Sequence, residues 1–237
     1  MKGRNVVTYT ILVLAVIFAI YPMVWGFSSS FKYLSDISTY PPEWIPRNPT
    51  LNNYYLVLFK SWVPRFFLNS LIVGFSSIGL TLLIATLGAY AASRFHFRGM
   101  SLVLFILLST IMLPGIGMLV PLYVNFIKMG LHDTYWALIL IYSARQVPFA
   151  LWLLKGFFDS IPTALDDSAR MDGCTSLGIL WRIIVPLSSA GYAAAILVIF
   201  LYVWCEFIIA LAMTSSNEMR LITVGLYTRP TSTRFPA

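Results

Sequence analysis

A chain of 237 residues that is 59% apolar and only 11% charged is not an ordinary soluble domain, in which about a quarter of the residues carry charge. Its formal charge of +7 is spread through connectors without a cluster or a basic helix, which favours anionic lipid headgroups over nucleic acid. The expected fold class is all-α, a polytopic transmembrane helix bundle, because hydrocarbon offers no partner to an unpaired backbone group.

A span needs roughly 20 apolar residues to cross about 30 Å of hydrocarbon. Residues 6–27, 66–93, 100–127, 134–154 and 190–213 qualify, giving five spans in a single transmembrane domain covering 1–237. The first is uncharged, longer than a signal-peptide core and without a small-residue cleavage site, so it reads as a retained span. Lys2 and Arg4 before it, and Arg94 and Arg98 in the second connector, place both segments in the cytoplasm. Segment 31–65, with Lys32, Arg47, Lys60 and Arg65 against Asp36 and Glu43, falls outside.

In the second span Gly74, Gly79, Ala85 and Gly88 suit close helix packing, and Asn69 either caps its helix or meets a ligand. Pro114, Gly115, Gly117 and Pro121 interrupt the third span, as a plain kink or as a broken helix lining a cavity. Asn125 lies one turn beyond Pro121. The fourth span carries Arg145 and Gln146 beside Pro148, which frees a carbonyl near position 144. Arg145 can face a pathway, pair with Glu206, or snorkel outward. Glu206 in the fifth span is an intramembrane carboxylate, costing several kcal/mol unless it is paired or faces water. Trp62, Tyr135 and Trp136 suit the interfacial aromatic belt. Cys174 and Cys205 are expected not to pair, and neither has metal-ligand spacing. There is no G-x-x-x-x-G-K-[ST], no H-E-x-x-H and no nucleophile elbow, and His96 and His132 lie far apart. ATP binding by this chain, a metal site and catalysis are therefore not expected.

The most patterned stretch is the polar connector 159–187. Residues 164–171 suit an amphipathic helix whose Asp166 and Asp167 favour the positive end of its dipole. Gly173 can adopt the positive φ of a bend, and Pro186 stops a second apolar turn. Small Ser168 and Ala169 would admit a partner surface closely. Taken alone, the connector is either a docking knob or an ordinary interfacial helix.

Asp167-Ser168-Ala169, three residues, Gly173, nine residues and Ile183-Ile184-Val185-Pro186 resemble the coupling loop of ABC-importer permeases. That loop reads Glu-Ala-Ala, Gly, then Ile-x-Leu-Pro at the same spacing; Asp stands here for Glu, Ser for the first Ala and Val for Leu. Asn69-Ser70-Leu71, the run Ala89 to Phe95, Pro121-Leu122-Tyr123, Gly130-Leu131, Pro148-Phe149, Trp152-Leu153-Leu154 and Trp204-Cys205-Glu206-Phe207 extend the likeness over 1–227. They are similar to carbohydrate-type, maltose-transporter-like permeases of the smaller kind, with Cys205 where that family has Asn.

The resemblance implies import of a sugar or oligosaccharide by alternating access across the inner membrane of a bacterium or archaeon. The N-terminus and the loop would be cytoplasmic. Implied partners are a second homologous permease, two P-loop ATPase subunits that bind ATP and Mg, and an extracytoplasmic solute-binding protein. Asp166, Asp167, Ser168, Ala169, Asp172, Gly173, Arg182 and Pro186 would form the ATPase-coupling surface. Glu206, Trp204, Asn125, Arg145 and Gln146 are the candidates for the substrate pathway. Glu206 could accept sugar hydroxyls, with Trp204 flat against a pyranose ring, or it could anchor a gate. The family's sixth span is expected after residue 213, yet the sequence stops at Arg234-Phe235-Pro236-Ala237 without one. Three rivals remain open: an importer of another solute such as glycerol phosphate or amino acids, an ion-driven transporter with Glu206 as proton site, and an intramembrane enzyme or scaffold.

Overall fold

The computed structural model describes residues 2–37, 39, 40, 42–95 and 98–228. His96 and Arg234-Phe235-Pro236-Ala237 lie outside them, as do the side chains of Lys2 and Arg4. The regular secondary structure of the described residues is all helix, without a strand, and they divide into two bodies, 2–64 and 65–228.

In the first body α1 (Lys2–Ser30) runs into short helices α2 (Leu34–Ile37) and α3 (Asn52–Phe59). Residues 31–50 fold back on the end of α1. Asn53 Nδ2 donates to the carbonyls of Ser30 (3.0 Å) and Lys32 (2.8 Å), and Thr50 N donates to Phe31 O at 2.8 Å. Lys32 is buried: its ammonium donates to the Glu43 carbonyl and sits 4.3 Å from the centre of the Trp25 ring. A cation over an indole is tolerated away from water because the ring face is electron-rich.

The second body begins inside α4 (Val63–Arg94) and continues through α5 (Met100–Ser109), α6 (Gly115–Lys128) and α7 (Tyr135–Asp159). The polar connector forms α8 (Ala164–Met171), α9 (Ser176–Ile179), a π-turn Leu180–Ile184 and α10 (Val185–Leu187). Helices α11 (Ser189–Cys205), α12 (Ile208–Met213) and α13 (Ile222–Tyr227) complete it. Its core lies where α4, α7 and α11 meet, with Val73, Ala85, Leu138, Tyr142, Leu154 and Ile199 fully buried.

Among the described residues three helices, 8–30, 63–94 and 135–159, are long and apolar enough to cross a bilayer. The expected third and fifth spans are not continuous helices. The third turns through 92° between Met112 and Gly115, because a proline disfavours helical geometry in the residue before it, and Leu113 is extended at ψ 128°. Pro121 and Pro148 stay inside their helices. The fifth breaks at Glu206, extended at ψ 131°, and a further bend of 79° separates residues 176–187 from α11.

Of the second-span small residues, Ala85 and Gly74 are buried and Gly88 packs under Leu151, whereas a Cβ added at Gly74 or Gly79 would meet no atom within 4 Å. Asn69 neither caps α4 nor faces a cavity. Fully buried, it donates to the carbonyls of Glu218 (2.7 Å) and Arg220 (2.9 Å) and accepts from the Tyr135 hydroxyl (2.7 Å). It thereby ties the approach to α13 onto α4. Asp133, in left-handed conformation at φ 59°, receives the amides of Ser215 (2.8 Å) and Ser216 (3.2 Å). Burial would raise its carboxyl, but these hydrogen bonds and nearby His132 outweigh it and hold the group below the usual carboxylate range. Both cysteines are free thiols.

Candidate functional site

The connector after α7 is anchored by a buried ion pair. Arg94, the last residue of α4, donates through Nε to Asp166 Oδ2 at 2.7 Å, and the two side chains are 5% and 3% exposed. The remaining guanidinium nitrogens donate to Ser93 Oγ (3.2 Å), the Phe158 carbonyl (3.2 Å) and the Ile161 carbonyl (3.1 Å). Ser93 in turn donates to Asp159 at 2.7 Å, and Asp159 also accepts from Lys155. One cation thus holds the ends of α4 and α7 and the start of α8.

Helix α8 ends in a Schellman motif. Gly173 N donates to Arg170 O (3.0 Å) and Cys174 N to Ala169 O (2.9 Å), with Gly173 at φ +82°. That conformation costs an L-residue about 1–2 kcal/mol and glycine almost nothing. Thr175 then caps α9, accepting the Gly178 amide at 3.2 Å. Asp167, Ser168, Asp172, Gly173, Arg182 and Pro186 face outward. Asp166 and Ala169 do not, being 2% and 6% exposed. The expectation that both small residues present themselves to a partner therefore needs correcting: only Ser168 is open, and Ala169 seals α8 against the body.

Some 660 Å³ of cavity opens between the bend at 110–113, α6, α7 and α11. Arg145, Gln146, Leu140 and Phe149 of α7 line it, with Met118 of α6 and Tyr202 of α11. Arg145 and Gln146 are the only pathway candidates among its lining residues. Arg145 Cζ lies 5.8 Å from the centre of the Tyr202 ring.

The other three candidates are elsewhere. Glu206 accepts the backbone amides of Ile209 (2.9 Å) and Ala210 (3.1 Å) and the Tyr142 hydroxyl (2.9 Å). Its carboxylate therefore caps α12, where the positive end of the helix dipole stabilises it, and it does not reach Arg145. Trp204 stacks on Phe200 with ring centres 5.2 Å apart and meets the edge of Phe67, so aromatic neighbours occupy the ring expected to hold a sugar. Asn125 is exposed on α6, outside the cavity lining. Sequence reasoning missed Arg94 and Tyr202. Arg94 had registered only as a topological charge, and no local signal joins it to an acid 72 positions away.

Residues 84–235, which include the connector, match the family described as binding-protein-dependent transport system inner membrane component. The chain belongs to that family. This inner membrane component is 33% identical to the sulfoquinovosyl glycerol transport system permease protein of Agrobacterium fabrum, over 87% of its own length and 73% of the relative's. It is 32% identical to the galactooligosaccharides transport system permease protein of Bacillus subtilis, over 94% and 80%. In fold it is similar to a bacterial ABC transporter involved in the import of the acidic polysaccharide alginate. That likeness has a TM-score of 0.84 at 23% identity and covers 95% of this chain and 79% of the other. The inner membrane component is accordingly a multi-pass, all-α transport permease.

Proposed function

We propose that the chain is one of two homologous permease subunits of an ATP-driven importer for a sugar or oligosaccharide. The observation carrying this reading is the connector, which the Arg94–Asp166 pair clamps on its inner face while Asp167, Ser168, Asp172, Gly173 and Arg182 are presented outward. A loop that is both anchored and open transmits a push; a loosely tethered one absorbs it. The sugar and oligosaccharide cargoes of the two relatives supply the substrate class.

Two P-loop ATPase subunits, which bind ATP and Mg, receive the outward faces of the connectors. A solute-binding protein delivers cargo from the other side, and the N-terminus is cytoplasmic. Closure of the ATPases favours the outward-facing permease pair, a shift limited by the difference in ATP affinity between the two states. Engagement of Glu206 as a helix cap argues against its use as a proton site in an ion-driven transporter.

The test is affinity purification of the tagged chain with its partners, wild type against Gly173→Arg and Gly173→Asn. A P-loop ATPase should accompany the wild type and Gly173→Asn, since Asn tolerates a positive φ, and fall at least tenfold with Gly173→Arg. Uptake that ignores ATP and collapses with an uncoupler would sink the reading.

A further inference from the structure

Arg145 is the eleventh of the 25 residues of α7, near the middle of a span, and it has neither a hydrogen bond nor an ion pair among the described residues. Its guanidinium lies against Gly115, the first residue of the 14-residue helix α6. A Cβ built on Gly115 would stand 3.2 Å from Arg145 Cζ, so a side chain there would make the guanidinium shift from its present place. The amides of Gly115 and Ile116 have no acceptor among the described residues. A cation that lines the cavity thus lies beside the positive end of a helix dipole.

Two features of like sign repel when left side by side in a medium of low polarity, and an anion seated between them reverses that. No acid among the described residues lines the cavity. Glu206 is turned to α12 and Tyr142, and Asp133, Asp159 and Asp166 are each engaged elsewhere. Gln146, 7% exposed and without a hydrogen-bond partner among the described residues, lines the same cavity. Its amide atoms are not among the fully buried, unpartnered ones, so they open to the cavity, where Nε2 adds a donor to the lining it shares with the cation. Apart from Thr110 and Tyr202 the remaining lining, Leu140, Phe149 and Met118 among it, is apolar and suits the C–H faces of a sugar ring. Its volume of about 660 Å³ falls within the usual ligand-pocket range of roughly 300–1,000 Å³.

We propose that this cavity is a subsite for the anionic group of a charged sugar. A carboxylate, sulfonate or phosphate oxyanion pairs with Arg145 through its planar fork, with Gln146 and the α6 amides as further donors. The inference rests on the importer reading and narrows its substrate class.

The test uses the complete transporter in nanodiscs of neutral lipid and matched probes: a neutral glycoside, its uronate and its 6-phosphate ester. Binding is read by thermal shift and ATP-driven uptake in proteoliposomes. The charged members should bind about 10- to 100-fold more tightly than the neutral one. Arg145→Gln should erase that preference, with Arg145→Lys and Gln146→Leu retaining part of it. Equal binding of charged and neutral probes, no binding of the charged ones, or a preference that survives Arg145→Gln each overturns the subsite. So does a shift produced by phosphatidylglycerol and by none of the sugars, which gives the site to a lipid headgroup. Loss of assembly with the second permease in Arg145→Gln and Arg145→Lys alike gives Arg145 to a partner's acid and also overturns the proposal. Continued uptake of neutral sugar by Arg145→Gln, with the preference for the charged members gone, is the result the subsite predicts and leaves the importer intact. Absence of ATP-driven uptake of every sugar by the wild type removes the importer reading itself.

Discussion

Arg94 and Arg145 sit in the same helical body and have opposite surroundings. Arg94 is 5% exposed with an acid at 2.7 Å and three further acceptors around its guanidinium. Arg145 has an aromatic ring, a glycine and a cavity. Charge removed from water is tolerated by complete pairing or by access to something that is not protein. The first case produces a clamp and the second a place where something can bind. A charged residue in a span becomes informative once its partners are counted.

Three substitutions would break or sharpen this contrast. The largest effect is expected for Arg94→Ala, which leaves Asp166 buried and unpaired and should cost about 3–5 kcal/mol, read as the shift of a denaturant or thermal midpoint in detergent. A cost under about 1 kcal/mol would mean that the pair is dispensable and the connector is held by packing alone.

Arg145→Gln should change stability by less than about 1 kcal/mol in either direction, because the lost contact with Tyr202 is worth roughly 0.5–1 kcal/mol and the desolvated charge is relieved at the same time. A loss as large as that of Arg94→Ala would erase the distinction between the two sites. The smallest effect concerns Asp133, where Asp133→Asn should cost about 1 kcal/mol at neutral pH. Its folded-state pKa lies below the unfolded value. The carboxylate therefore stabilises the fold above the unfolded pKa near about 4, and that contribution is lost as pH falls through the lower folded value. The variant should lose less stability on acidification than the wild type, as read by midpoints at neutral pH and below about pH 4.

What the sequence disclosed follows the range of each interaction. Gly173 and its bend were legible because a Schellman motif closes within six residues. The proline-glycine interruption in the third span was legible as a site, and its outcome, a 92° turn, was not, since the same residues permit a mere kink. Glu206 was flagged for its cost in a membrane, but its role depended on a helix break at its own position. A carboxylate three and four residues before the first amides of a new helix was the signal available. Trp204 reads in the sequence as a ring for a ligand; Phe200, one turn before it, stacks on it, and Phe67, distant in sequence, meets it edge-on. Pairings such as Arg94 with Asp166 or Asn69 with Glu218 join residues 72 and 149 positions apart, and no local pattern encodes them.

The 79° elbow at Ser188 makes the connector one arm of a lever. The arm 176–187 is about 18 Å long and α11, residues 189–205, about 25 Å, at 1.5 Å per residue. A rigid rocker of these proportions pivoting at Ser188 swings its far end about 1.4 times as far as its near end is pushed. Tyr202 rides close to that far end, so a shove of a few ångströms at the residue 176 end would sweep its ring bodily across the wall of the cavity.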